Sequence, residues 1–183
     1  MRVMILRHAP PLTGGRLAGR TDVEADCRDR AALDAVAARI GTGMRVISSP
    51  ARRCLQTARA LGLAPERHEL ALWEQDYGAW EGRTYAELPD LGPLTPDALA
   101  RHRPEGGESF LDMAARVHPV LEGLETDTLL VAHAGTVRAA LALVVGDAAL
   151  SFSVAPLSLT MLRRAGTAWA IEGVNVTEAA PWR

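Results

Sequence analysis

Val3-Met4-Ile5-Leu6-Arg7-His8, near the start of the chain, and Thr128-Leu129-Leu130-Val131-Ala132-His133, far downstream, share one pattern: an apolar run closed by a histidine. Runs this continuous suit strands covered on both faces, as in a parallel sheet held between helices. In open α/β sheets, ligands gather where the carboxyl ends of strands meet helix N-termini. Two imidazoles remote in sequence are therefore expected to converge on one site.

Outward from these strands, helical and extended segments alternate. A Gly/Pro-punctuated loop from Ala9 to about Asp22 precedes Leu33, Val36, Ala37 and Ile40, which fall on one helical face. Arg45-Val46-Ile47-Ser48 reads as a short buried strand. Ser49-Pro50 offers an N-cap followed by proline at the first helical position, and Gly62 stops that helix after about Leu61. From Leu88 to Gly107, four prolines among glycines indicate a loop or cap excursion, with one short helix around Asp97–Arg103, suited to roofing a pocket.

Ser109-x-x-Asp112 is a capping-box variant ahead of the apolar stripe Phe110, Met113, Ala114, Val117, Leu121 and Leu124, which Pro119 should kink. Val137, Ala140, Leu141, Val144 and Val145 mark the helix after His133. Leu157–Leu162 and Ala168–Val174, joined through residues 163–167, read as a closing hairpin. The alternation predicts the α/β class: a three-layer α/β/α sandwich with a mostly parallel central sheet, one domain over residues 1–183.

A chain of 183 residues, 48% hydrophobic, suffices for one compact domain burying about 70% of its unfolded surface. Its net charge of −2 gives no global attraction to nucleic acid or to an anionic membrane, so any affinity for anions must come from local clusters. Cys27 and Cys54 are too few and too far apart for a zinc ribbon or a disulfide framework, and unpaired thiols fit a reducing compartment. Arg7 and His8 interrupt the first apolar segment too early for a signal-peptide core, and no later stretch is expected to reach transmembrane length. A cytoplasmic protein is expected, either monomer or homodimer.

None of the five histidines forms a His-x-His, His-Glu-x-x-His or Cys/His pairing at ligand spacing, so a metal site is disfavoured. Gly107-Glu108-Ser109-Phe110-Leu111 breaks the nucleophile-elbow pattern of serine hydrolases. No P-loop or dinucleotide fingerprint occurs. His133 stands out because it precedes Ala134-Gly135-Thr136, whose backbone N–H groups at a helix start can hold an anion. His68, His102 and His118 have no such context and read as surface residues.

Together, Leu6-Arg7-His8-Ala9, the segment Ser48–Ala58 around Arg52-Arg53, the segment Glu74–Gly82, Pro104–Ser109 and Val131–Gly135 resemble the histidine phosphatase (phosphoglycerate mutase-like) superfamily over essentially the whole chain. The resemblance implies a metal-independent phosphomonoesterase that uses no cofactor and acts on a small phosphorylated metabolite. It implies His8 as the nucleophile, forming a phosphohistidine. Arg7, Arg53 and His133 correspond to a cage for the phosphoryl oxygens, and Glu74 to the general acid. Chemistry alone would not choose Glu74 over Asp76, Glu81 or Glu87, nor periodicity Arg53 over Arg52.

Ala9 stands where the family usually has glycine, which matters only if the backbone there needs a positive φ. The stretch Leu12-Thr13-Gly14-Gly15 lacks the asparagine of cofactor-dependent mutases, which weakens a mutase alternative. Gly19-Arg20-Thr21-Asp22-Val23 with the Glu74–Gly82 block looks most like the alpha-ribazole phosphatase branch, in which Arg20 either reaches substrate near the pocket mouth or stabilises its own loop, and Ala134 counts among the substrate-binding residues. A broad sugar-phosphate phosphatase and a catalytically silent phosphate-binding module are the remaining alternatives.

Overall fold

The computed structural model describes residues 1–177; residues 178–183, included in the expected single domain, lie outside them. Six strands form one sheet in the order β3-β2-β4-β1-β5-β6. They are β1 (Arg2–Arg7), β2 (Arg45–Ser48), β3 (Arg67–His68), β4 (Thr128–Ala132), β5 (Leu159–Ala165) and β6 (Ala168–Val176). The pairs β1/β4, β4/β2 and β2/β3 are parallel, while β5 and β6 join antiparallel at one side. The closing hairpin is tighter than expected: Arg163-Arg164-Ala165 belong to β5, leaving Gly166-Thr167 as the turn.

The continuous apolar runs serve two cores. Val3 and Ile5 of β1, with Leu130 and Ala132 of β4, pack with α4 (Phe110–Glu122) and α5 (Ala134–Val145). Met4, Leu6, Leu129 and Val131 point the other way, toward α1 (Arg30–Ile40) and α2 (Arg52–Ala60). Successive side chains on a strand alternate faces, so every residue of such a run meets a helical layer. The architecture is the expected three-layer α/β/α sandwich.

Local signals hold with specific shifts. The Ser109/Asp112 capping box is complete in both directions, and α4 continues through Pro119 to Glu122. The short helix of the 88–107 excursion is α3 (Pro96–Arg101), capped by Thr95. Helix α2 starts at Arg52, two residues later than Ser49-Pro50 suggests. Its Arg52 N–H is met at 2.8 Å by the Asp22 carboxylate, a cap supplied from a distant loop.

His102 and His118 are half-buried rather than surface residues. His102 stacks on Trp80, and the His118 ring donates to the Ala139 carbonyl at 2.8 Å. On length and composition, the 18 residues Ala134–Ser151, with mean hydropathy 1.4, exceed the sequence expectation that no stretch is long and apolar enough to span a bilayer. Their apolarity has a local cause: Val137, Ala139, Ala140 and Leu141 of α5 are fully buried in the core between the sheet and α4.

Candidate active site

The sheet register makes the site. Arg7 pairs with Ala132 across the parallel β1/β4 ladder, so His8 and His133 are the next residues on neighbouring strands. The His8 N–H continues the ladder to the Ala132 carbonyl at 3.0 Å, and the two imidazole centroids stand 5.2 Å apart, edge to face. The Ser49 N–H meets the Val131 carbonyl at 2.9 Å, which brings the end of β2 and the start of α2 to the same sheet edge. Arg7, His8, Arg53, Glu74 and Ala134 all line one polar cleft of about 240 Å³. A larger depression of about 840 Å³, bounded by Pro10, Ala32, Val36 and Leu157, contains none of these groups. Volume alone does not choose the site.

His8 is 3% exposed and its Nδ1 lies 2.7 Å from the Ala9 carbonyl. A carbonyl only accepts, so Nδ1 carries the proton and Nε2 keeps its lone pair. Burial, together with the Arg53 and Arg7 guanidiniums, lowers the His8 pKa to about 3, against the hydrogen bond to Ala9. The imidazole is thus held neutral with one nitrogen free. Ala9 itself is buried, donates its N–H to Thr57 Oγ1 at 2.9 Å and does not have a positive φ, so its methyl group fits where glycine is usual.

Because both His8 and His133 are pushed well below the ordinary histidine value, first by burial, they oppose folding in acid. The unfolded chain takes up their protons near pH 6.5 while the folded chain refuses them. Stability is therefore complete above about pH 6.5 and falls toward pH 3. The urea midpoint is expected to drop over this range, and His8→Gln should flatten the drop. An unchanged pH profile in that variant would contradict the buried neutral state of His8.

Arg53 is 1% exposed, and its guanidinium is fixed by the Gly19 carbonyl at 2.7 Å and the Thr21 carbonyl at 3.1 Å. Those carbonyls are presented by a loop organised by Glu81, which accepts from the N–H groups of Gly19, Arg20 and Thr21 and from Thr21 Oγ1. Gly19 is required there, since a Cβ would sit 1.9 Å from the Gln75 carbonyl. Arg52, by contrast, is exposed and pairs with Glu24. Arg7 donates to the Val154 carbonyl at 2.5 Å, while its buried Nε has no hydrogen-bond partner. Such an unmet donor is costly unless an oxygen of a bound ligand satisfies it.

His133 departs from expectation. It is fully buried and absent from the residues lining the cleft. Its Nδ1 accepts from Arg53 Nε at 3.3 Å, so its Nε2–H donates to Ser49 Oγ at 2.9 Å. Trp73 stacks on its ring at 6.4 Å. The ring thus orients Arg53 from behind instead of facing the cleft, and direct contact with phosphoryl oxygens is not what this arrangement offers.

Glu74 is 7% exposed and its carboxylate accepts from the N–H groups of Gln75, at 3.0 Å, and Gly135, at 3.1 Å. The α5 N-terminus, expected to hold an anion, thus gives its Gly135 N–H to this side chain. A Cβ on Gly135 would lie 2.2 Å from Glu74 Oε1 and 2.6 Å from Met113 Sδ. Gly135→Ala is expected to displace the carboxylate, lowering kcat at least tenfold and stability by about 1–3 kcal/mol of overpacking. Wild-type kcat in that variant would contradict the placement of Glu74. Asp76, Glu81 and Glu87 are engaged elsewhere: with the Gly78 N–H, the 19–21 loop and Thr84, respectively.

Arg20 does not reach the cleft. It donates to Glu108 at 3.4 Å and lies over the Trp73 ring at 5.8 Å, so its expected contact with substrate at the pocket mouth is corrected to a structural one. Nor does the 88–107 excursion line the cleft; Pro11, Thr13, residues 15–18, Tyr77 and Tyr85 enclose it. Sequence reasoning also missed Arg116 and Arg138. Arg116 donates to the carbonyls of Ala71, Trp73 and Glu74 and pairs with Glu108 at 2.8 Å, which holds the segment carrying Glu74. Arg138 lines the cleft one helical turn beyond Ala134, an offset of four that was visible in the sequence.

Comparison with known proteins identifies the family. The histidine phosphatase superfamily (branch 1) matches residues 3–177. A glucosyl-3-phosphoglycerate phosphatase of Mycolicibacterium vanbaalenii is 33% identical over 169 residues, covering 79% of this chain and 74% of that protein. The human 6-phosphofructo-2-kinase/fructose-2,6-bisphosphatase 4 is 35% identical over 112 residues, but the match spans only 24% of its length. Among solved structures, the mycobacterial glucosyl-3-phosphoglycerate phosphatase with inorganic phosphate superposes with TM-score 0.83 at 27% identity, over 98% of this chain and 99% of that one. A protein of Thermus thermophilus superposes with TM-score 0.72 at 30% identity, over 88% of this chain and 93% of that one. With the family match running from β1 to the end of β6, this chain belongs to branch 1 of the histidine phosphatase superfamily.

Proposed function

We propose that this phosphoric monoester hydrolase acts on a small phosphorylated metabolite through a phosphohistidine on His8. The observation that carries the reading is the fixed tautomer of His8, with Nδ1–H on the Ala9 carbonyl and Nε2 unprotonated beside Arg7 and Arg53. Nε2 attacks phosphorus in line, the P–O bond to the leaving group breaks, and Glu74 delivers its proton to the departing oxygen. The ring gains positive charge as the N–P bond forms, and the Ala9 carbonyl, accepting from Nδ1–H, stabilises it. Water then attacks phosphorus and gives a proton to the Glu74 carboxylate, and the N–P bond breaks to return neutral His8. Arg7 and Arg53 hold the equatorial oxygens throughout, and His133 keeps Arg53 in line. These guanidiniums supply the positive charge that other phosphatases take from a metal.

At the level of substrate, alpha-ribazole 5'-phosphate and a phosphoglycerate ester like that named for the mycobacterial relatives are both candidates. The first loses support because Arg20, the residue singled out for it, turns to Glu108 and Trp73. Phosphate release from a panel containing both, with nitrophenyl phosphate and 3-phosphoglycerate, tests the reading. Hydrolysis of at least one phosphomonoester is expected. Isomerisation of 3-phosphoglycerate without phosphate release would favour a mutase, and no turnover with tight phosphate binding would favour a silent binding module.

A further inference from the structure

We infer that Thr57 is a positioning residue for the nucleophile. Its hydroxyl ties Ala9 to α2 and so keeps the Ala9 carbonyl on His8 Nδ1–H, in the tautomer that leaves Nε2 free for phosphorus. The inference rests on the phosphohistidine reading above and adds a residue that does not itself line the cleft. Thr57 Oγ1 accepts from the Ala9 N–H at 2.9 Å and donates to the Arg53 carbonyl at 2.7 Å. The Ala9 carbonyl accepts from His8 Nδ1–H at 2.7 Å, so the hydroxyl reaches the imidazole through a single intervening residue.

The chain needs an anchor at this point because it is leaving the sheet. The His8 N–H makes the last ladder contact of β1, to the Ala132 carbonyl. Pro10 and Pro11 have no N–H, so the Ala9 N–H is the sole backbone donor between His8 and Leu12, and Thr57 receives it. On the far side, the next tie is the Asp26 N–H on the Pro10 carbonyl at 2.7 Å. Without Thr57 the peptide after His8 is free to turn, which carries the Ala9 carbonyl off Nδ1. A neutral histidine in water favours the proton on Nε2, the form with no lone pair there to attack phosphorus. The partner of Nδ1 therefore decides how much of the imidazole is competent.

The surroundings of Thr57 call for an apolar side chain. Thr57 is fully buried, and Cys54 and Ala58 beside it on α2 belong to the apolar core. Valine has nearly the same shape and would pack there without burying a hydroxyl. The hydroxyl is compensated because both of its hydrogen bonds end on the backbone of the phosphate-handling apparatus, at Ala9 and at Arg53. The bond to the carbonyl four residues earlier fixes the threonine rotamer and turns its oxygen toward Ala9. Residues four apart share a helix face, so α2 presents the Arg53 guanidinium and the Thr57 anchor to the same strand end. The guanidinium is held separately by the Gly19 and Thr21 carbonyls, so removing the hydroxyl should disturb the nucleophile and spare phosphate binding.

The test replaces Thr57 with valine, which keeps the shape and removes the hydroxyl, and with serine, which keeps the hydroxyl. In Thr57→Val, kcat on nitrophenyl phosphate is expected to fall by roughly 10- to 100-fold, as for a buried donor left unpaired, with the dissociation constant of inorganic phosphate nearly unchanged. Thr57→Ser should recover most of the loss. Nitrogen NMR of isotope-labelled histidine near neutral pH, with His8→Ala to assign the signals, supplies a readout that core packing does not move. Native His8 should show a protonated Nδ1 and an unprotonated Nε2, and Thr57→Val should move proton population toward Nε2. Should valine prevent folding, Thr57→Cys, whose sulfur is a weak acceptor, takes its place with the same expected changes. Native kcat in Thr57→Val, or a fall in kcat with the native nitrogen pattern of His8, would overturn the proposal. A loss in Thr57→Ser equal to that in Thr57→Val would overturn it too, because the methyl group and not the hydroxyl would then be what matters. A native enzyme inactive on nitrophenyl phosphate would sink the phosphatase reading alone, since the nitrogen spectra test the Thr57 tie without turnover.

Discussion

His8→Ala is expected to lower kcat by at least about 10⁴-fold on every phosphomonoester, because removing the nucleophile abolishes the covalent route and leaves only the electrostatics of the cleft. The fold should persist. His8 adds little to either apolar core, and the strand pairing that places it runs through its backbone N–H to Ala132, which alanine keeps. Phosphate should still bind, since Arg7 and Arg53 are held by carbonyls of Val154, Gly19 and Thr21 and not by His8. The check is steady-state turnover together with phosphate binding by calorimetry. Retained turnover would assign the nucleophile elsewhere.

Glu74→Gln should divide substrates by their leaving groups. Glutamine keeps an oxygen to accept from the Gly135 and Gln75 N–H groups, so the geometry survives, but it has no proton to give and no basic oxygen for water. General acid–base catalysis contributes roughly 10²- to 10⁴-fold, and alkyl phosphates should slow by about that much in the first step. Nitrophenyl phosphate needs little protonation of its leaving group. It should give a burst of nitrophenol stoichiometric with enzyme, followed by slow turnover as the phosphoenzyme waits for an activated water. Rapid-quench measurement distinguishes the cases. Equal slowing of the first step on both substrates would point to a different acid.

The fold was legible where local and tertiary preferences agree. Val3–Leu6 and Thr128–Ala132 read as doubly covered strands because helices do pack on both their faces. The Ser109/Asp112 box marked the start of α4 because both of its hydrogen bonds are local. The start of α2 was misjudged because its first N–H is capped by Asp22, thirty residues away, which no local pattern reveals. The gathering of Arg7, His8, Arg53 and Glu74 followed from strand ends and from the family resemblance. The orientation of His133 did not. It depends on Arg53 and Ser49 bracketing both ring nitrogens, a consequence of how α2 docks on β4. Arg138 and Arg116 are polar residues on largely apolar helices, a pattern that by itself names no partner. Only tertiary packing aims one into the cleft and the other at the carbonyls behind Glu74.

Whether the reaction passes through His8 is tested most directly by quenching the enzyme under alkaline denaturing conditions during turnover of nitrophenyl phosphate, preferably in Glu74→Gln, and mapping the phosphate by mass spectrometry. A single phosphorylated side chain, His8, is expected, appearing within the nitrophenol burst and absent from His8→Ala. Phosphate on His133 or another residue, or a burst with no covalent adduct, would contradict the phosphohistidine route.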